Sequence, residues 1–126
     1  TYNIATGILG EIDHEIATTK KCLERIPENL FDYKPHEKSF TMIRLATHIA
    51  EMVDWITVTC TSDALDFAAG EYKPFEPKST AELIEYLERN AAAAIEALKN
   101  TSDEDMQKPW SLKNGETTYF TMPKIA

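Results

Sequence analysis

Apolar residues recur at helical spacing over residues 3 to 26, where Ile4, Ile8, Ile12, Ile16, Thr19, Leu23 and Ile26 fall in one arc of a helical wheel. That pattern predicts a first helix, which Pro27 ends. A second stripe, Met42, Leu45, Ala46, Ile49, Met52, Val53, Ile56 and Cys60, predicts an amphipathic helix over 41–60 with Thr41 as its N-cap. A third helix begins at Ser79. Glu82 three residues on completes a capping box, and Leu83, Ile84, Leu87, Ala91, Ala94, Ile95 and Leu98 form the stripe.

Between these helices the pattern breaks. Residues 27–40 carry two prolines but also Leu30, Phe31, Tyr33 and Phe40, so the connector is expected to lie pinned over the end of a bundle. Residues 61–78 read as irregular, broken by Gly70, Pro74 and Pro77 and anchored by Phe67, Tyr72 and Phe75. Asn114-Gly115 lies between two short runs that can alternate as strands, which predicts a β-hairpin within 103–121. Thr121 to Ala126, with Pro123 in the first turn, reads as the start of a further helix. The elements together make an all-α four-helix bundle with long crossovers, in one domain spanning 1–126. A small hairpin precedes the last helix, and that fourth helix is expected to be largely missing from this chain. Position 1 is threonine, which adds to the expectation of a cut sequence.

Composition narrows the function. At 126 residues and 43% hydrophobic, the chain has enough apolar material for one core. Its formal net charge of -8 disfavours phosphate backbones, so nucleic acid is not an expected partner. No apolar run of membrane-spanning length occurs, so no membrane association is expected. With no basic-then-apolar leader and two isolated cysteines, Cys22 and Cys60, the expectation is a cytoplasmic protein with reduced thiols.

Candidate chemistry centres on His48. On the wheel it lies at the edge of the second helix's stripe, flanked by Arg44, Leu45, Met52, Trp55 and Thr59. Pattern alone reads it as a boundary histidine satisfied by a neighbouring group. The other reading is a metal ligand facing an adjacent helix, as bundle-core sites require. No second histidine sits at ligand spacing from it. His14 lies opposite the apolar arc, and its Glu11 partner at i−3 makes an ordinary surface pair. His36, in the connector, reads as a turn cap. Glu15 falls within the first arc and either faces the cavity of His48 or snorkels to its rim. Glu51 reads as an exposed charge, with a role beside His48 as the alternative.

The run Ile26-Pro-Glu-Asn-Leu-Phe-Asp-Tyr-Lys-Pro-His-Glu-Lys-Ser-Phe through Leu45-Ala-Thr-His48-Ile and Trp55 resembles the DinB family, also described as DinB/YfiT-like metalloenzymes. The shared signature is a first helix ending in Ile-Pro, a Tyr-Lys-Pro-x-x-Lys-Ser connector, and Leu-x-x-His-Ile followed by an aromatic residue. Thr101 to Trp110, Gly115 and Phe120-Thr-Met-Pro123 are similar to the family's hairpin before its last helix. The resemblance implies an up-down-down-up four-helix bundle and a divalent metal, nickel or zinc, held by three histidines. His48 matches the ligand on the second helix. The other two form a His-x-x-x-His on the fourth helix, and no such pair occurs in this sequence. The activity implied is a metal-dependent enzyme, a thiol-dependent transferase or a hydrolase, acting on a small molecule or a low-molecular-weight thiol. The alternative is a stress-associated binding module without catalysis, and in either case a homodimer.

Overall fold

A computed structural model describes residues 2–126. Helix α1 (Ile4–Leu23) starts where the Asn3 side chain accepts the Thr6 amide at 2.9 Å. It ends at Leu23 rather than at residue 26, in a turn closed by Ile26 N–H to the Leu23 carbonyl. Helix α4 (Thr80–Lys99) begins as its capping residues dictate. The Glu82 amide donates to Ser79 Oγ at 3.1 Å, and the Glu82 carboxylate accepts from Lys78 N.

Helix α4 is the central element, with α1, α2 (Met42–Met52) and α3 (Asp54–Thr61) packed against it. Leu83 and Leu87 of α4 are fully buried with Ala46 and Ala50 of α2 and Leu23 of α1. A second cluster at the other end joins Ala5, Leu98 and Met106. The 27–40 connector is tied to the start of α2, since the Met42 and Ile43 amides donate to the Tyr33 and Phe31 carbonyls. Its apolar residues do not pack over the bundle end as expected: Leu30, Tyr33 and Phe40 are exposed and Phe31 is half-buried. Thr80 Oγ1 adds a bond to the Ile26 carbonyl, fixing the end of α1 to the start of α4.

Several expectations are corrected. The helix over 41–60 is not continuous: it breaks at Val53 into α2 and α3. Ile56 N–H bonds the Val53 carbonyl three residues back. The buried Asn90 side chain donates to the Ala50 carbonyl at 3.0 Å, in the last turn of α2. A side chain entering the carbonyl ladder in this way is a known cause of kinks. The buried face of α2 is also shifted. Ala46, Thr47 and Ala50 meet α4, because small residues let two helices approach closely. The bulkier Leu45, Ile49 and Met52 stay on the outside.

Residues 61–78 are not wholly irregular. They include strand β1 (Ala64–Asp66), which pairs in parallel with β2 (Pro109–Asn114). Strand β2 pairs antiparallel with β3 (Thr117–Pro123), giving a three-stranded sheet in the order β1-β2-β3. The predicted hairpin forms around Gly115, whose φ of 61° fits the first central position of a type II′ turn. Residues 121–126 do not start a helix. Thr121 and Met122 are held in β3 opposite Ser111 and Trp110, with the Ser111 and Thr121 hydroxyls 2.7 Å apart. The chain then turns, with Ala126 N–H on the Pro123 carbonyl. A short helix, α5 (Asp103–Met106), capped by Ser102, joins α4 to the sheet and has no counterpart in the periodicity.

Candidate functional site

Residues 44, 48, 51 and 55 follow i, i+4, i+7, i+11 spacing and share one face of the kinked α2–α3 unit. This face is neither the alanine face against α4 nor the outer Leu45–Met52 stripe. It fronts a cavity of about 650 Å³, walled on the helix side by Arg44, His48, Glu51, Asp54 and Trp55. The opposite wall is Leu65 to Phe67 and Gly70 to Tyr72, with Phe40 at the end of the 27–40 connector. A cavity of this size accommodates a small organic molecule.

The far wall is held by two interactions. Asp66 Oδ1 accepts the Gly115 and Ala68 amides, each at 2.9 Å, which locks the cavity loop to the hairpin turn. The Gly115 amide, then that of Ala68, holds the Asp66 carboxyl below the usual carboxylate range. At the other end, the Tyr72 hydroxyl donates to the Glu51 carboxylate. Burial first, and then this bond, pushes the Tyr72 phenol above its ordinary range.

Arg44 stands beside this pair. Its Nη2 lies 3.5 Å from the Tyr72 hydroxyl, and its guanidinium carbon sits 5.1 Å from the centre of the Phe40 ring and 5.9 Å from that of Tyr72. Nη1 is buried without a hydrogen-bond partner.

His48 is half-buried on the cavity wall. By contrast, the His36 Nδ1 accepts the Lys38 amide at 3.1 Å, the turn-capping role expected of it. His14 is exposed on α1. Glu15 is exposed and does not line the cavity of His48, which leaves the rim reading. Glu51 is corrected: it is half-buried, lines the cavity and accepts a hydrogen bond, so it is no ordinary surface charge. Both cysteines are free; Cys60 is half-buried and Cys22 exposed.

Among the described residues, no group of three or more histidine, cysteine, aspartate or glutamate side chains converges as a metal site would require. His48 can contribute one donor, and the residues present do not by themselves fit a complete divalent-metal centre. Sequence reasoning missed Arg44 and Tyr72 as site residues. The four-residue step from Arg44 to His48 was the available signal, but the partner wall lies in a loop whose placement depends on long-range bonds.

No helix among the described residues is long and apolar enough to cross a membrane. No curated protein and no solved structure matches the chain. The DinB superfamily profile, however, matches residues 11–124, from the middle of α1 through β3, and takes in every residue of the cavity wall. The chain belongs to the DinB superfamily.

Proposed function

We propose that the chain is a DinB-type enzyme domain of the metal-dependent transferase or hydrolase class, with the 650 Å³ cavity as the site of a small-molecule or low-molecular-weight thiol substrate. The observation that carries this reading is His48 on the cavity wall, one helical turn from Arg44 and next to Glu51. His48 is the protein's candidate ligand for nickel or zinc, and a complete centre would need donors besides it. A bound divalent metal would supply Lewis acidity and lower the pKa of a coordinated thiol or water. The chain's own contribution is a cavity with an apolar wall of Phe40, Trp55, Val58, Leu65 and Phe67, into which Arg44, Tyr72 and the carboxylates of Glu51, Asp54, Asp66 and Glu71 bring polar groups beside His48. On this reading a fourth long helix of the up-down-down-up bundle would cover the outer Leu45–Met52 stripe.

The test is metal analysis of the natural protein and of its His48→Ala variant. About one equivalent in the first and a large loss in the second supports the reading. Less than about a tenth of an equivalent in both, with stability indifferent to chelator, would sink the metal-dependent part.

The exposed stripe of Leu45, Ile49 and Met52 favours a second reading, a homodimeric binding module without catalysis. Its dimer would be indifferent to His48→Ala. A monomer by light scattering at micromolar concentration removes it.

A further inference from the structure

Among the described residues, Arg44 stands apart from the other cations in having a buried guanidinium nitrogen without a hydrogen-bond partner. The protein carries 21 acidic residues against 13 lysines and arginines. Four carboxylates, Glu51, Asp54, Asp66 and Glu71, line the same cavity. None of them pairs with Arg44: among the described residues the ion pairs belong to lysines, and Arg44, like Arg25 and Arg89, forms none. A guanidinium offers five N–H donors. Here one meets the Tyr72 hydroxyl at a marginal 3.5 Å, and Nη1 meets nothing although it is buried. What holds the group in place is apolar and aromatic: the Phe40 and Tyr72 rings. An unpaired buried donor is costly, so its retention on a cavity wall needs a reason.

We propose that Arg44 anchors a single carboxylate on an aromatic or apolar small molecule bound in this cavity, a reading that rests on the cavity being the substrate site. The guanidinium fork matches a carboxylate through two parallel N–H donors, and such pairs are stronger than a neutral hydrogen bond. The incoming carboxylate takes Nη1 and Nη2 together and displaces the Tyr72 hydroxyl from Arg44, leaving Tyr72 bonded to Glu51. Access requires the flanking rings to move. Phe40 is 55% and Tyr72 60% exposed, so neither is locked by packing. The apolar remainder of the ligand lies against Trp55, Val58 and Leu65. The surrounding carboxylates decide the charge of the ligand: a monoanion can pair with Arg44, whereas a dianionic phosphate would meet stronger repulsion from all four.

The test is a titration of the intact chain with benzoate, benzamide and benzylamine, followed by calorimetry and by the NMR signals of Arg44 Nε and Trp55 Nε1. These probes share a ring and differ in charge. Benzoate is expected to bind about tenfold tighter than either of the others. Arg44→Gln is expected to abolish that preference while benzamide binding persists, and Arg44→Lys to restore part of it. The wild-type comparison stands even if a variant folds poorly. Equal binding of benzoate and benzamide, or a preference retained in Arg44→Gln, would overturn the anion site while leaving the cavity as a small-molecule site. Tightest binding by benzylamine would also overturn it, assigning the cavity to cations through its carboxylates. Binding of no probe would remove the cavity reading and this proposal with it.

Discussion

The Tyr72 hydroxyl donates to the Glu51 carboxylate across 21 residues of chain, tying the loop after β1 to the cavity face of α2. Tyr72 is therefore the residue whose loss should open the cavity. Tyr72→Phe keeps the ring over Arg44 and removes only the hydroxyl. We expect a small global cost, about 0.5 kcal/mol in urea unfolding, because the group is largely exposed. The local effect should be larger: amide exchange across residues 67–73 should speed up well beyond the global change. Unaltered exchange in that loop would show that the bond does not hold it.

The same residue sets an alkaline signature. The folded state favours the neutral phenol, because burial and the Glu51 bond raise the Tyr72 pKa. A raised folded pKa contributes stability below the unfolded value, and that contribution is lost as pH rises through the folded value. Absorbance titration at high pH should show one tyrosine of the five ionising late. In Tyr72→Phe the late step should be gone. Its persistence would assign it to another tyrosine.

Asp66 gives the opposite sign. Its carboxylate is stabilised in the folded state by the Gly115 and Ala68 amides, so its pKa is lowered. A depressed pKa contributes stability above the ordinary carboxylate range, lost as pH falls through the folded value. Asp66→Asn should therefore lower the Tm at neutral pH, and the gap to wild type should close on acidification below about pH 4. A gap that stays constant down to pH 3 would mean that the charge of Asp66 contributes nothing.

These contacts also mark where sequence reading reaches its limit. The start of α4 is legible because Ser79 and Glu82 satisfy each other's neighbourhood within four residues. The hairpin is legible because Gly115 supplies a backbone conformation that few residues adopt. The membership of His48 in one helical face is legible as well, and the family resemblance singles it out. The break at Val53 is not, because one of its causes, the Asn90 amide on α4, lies 40 residues from the Ala50 carbonyl that it meets. The apolar stripe misleads for a related reason: burial of α2 follows its alanines, which choose close approach over bulk. The cavity's second wall is fixed by Asp66 and Gly115, 49 residues apart, so no local pattern announces it.

Asn90 permits a direct measurement of that long-range term. The residue is 8% exposed, and its side-chain amide donates to the Ala50 carbonyl. Asn90→Ala leaves a carbonyl at the end of α2 unpaired in the core, and a loss of about 1–3 kcal/mol is expected by urea unfolding. Asn90→Asp should be worse at neutral pH, since the buried carboxylate faces a carbonyl with no donor to offer. If Asn90→Ala is neutral, the kink at Val53 does not depend on this bond.

Two glycines test the backbone argument with opposite signs. Gly10 lies within α1, and a Cβ built there meets nothing within 4 Å. Gly10→Ala should stabilise the protein by about 0.5–1 kcal/mol, since glycine in a helix interior costs that much relative to alanine. Gly115 also has room, its nearest atom being the Ala68 Cβ at 3.8 Å, but its φ is +61°. There the obstacle is the residue's own conformation, and Gly115→Ala should destabilise by about 1–2 kcal/mol. The second substitution should also loosen the Asp66 cap, because the strained turn carries the Gly115 amide that Asp66 accepts. Faster amide exchange at residues 66–72 in Gly115→Ala, and unchanged exchange there in Gly10→Ala, is the expected pair of results. A stabilising Gly115→Ala would show that the turn can relax to another type and that the cavity's far wall does not depend on its present form.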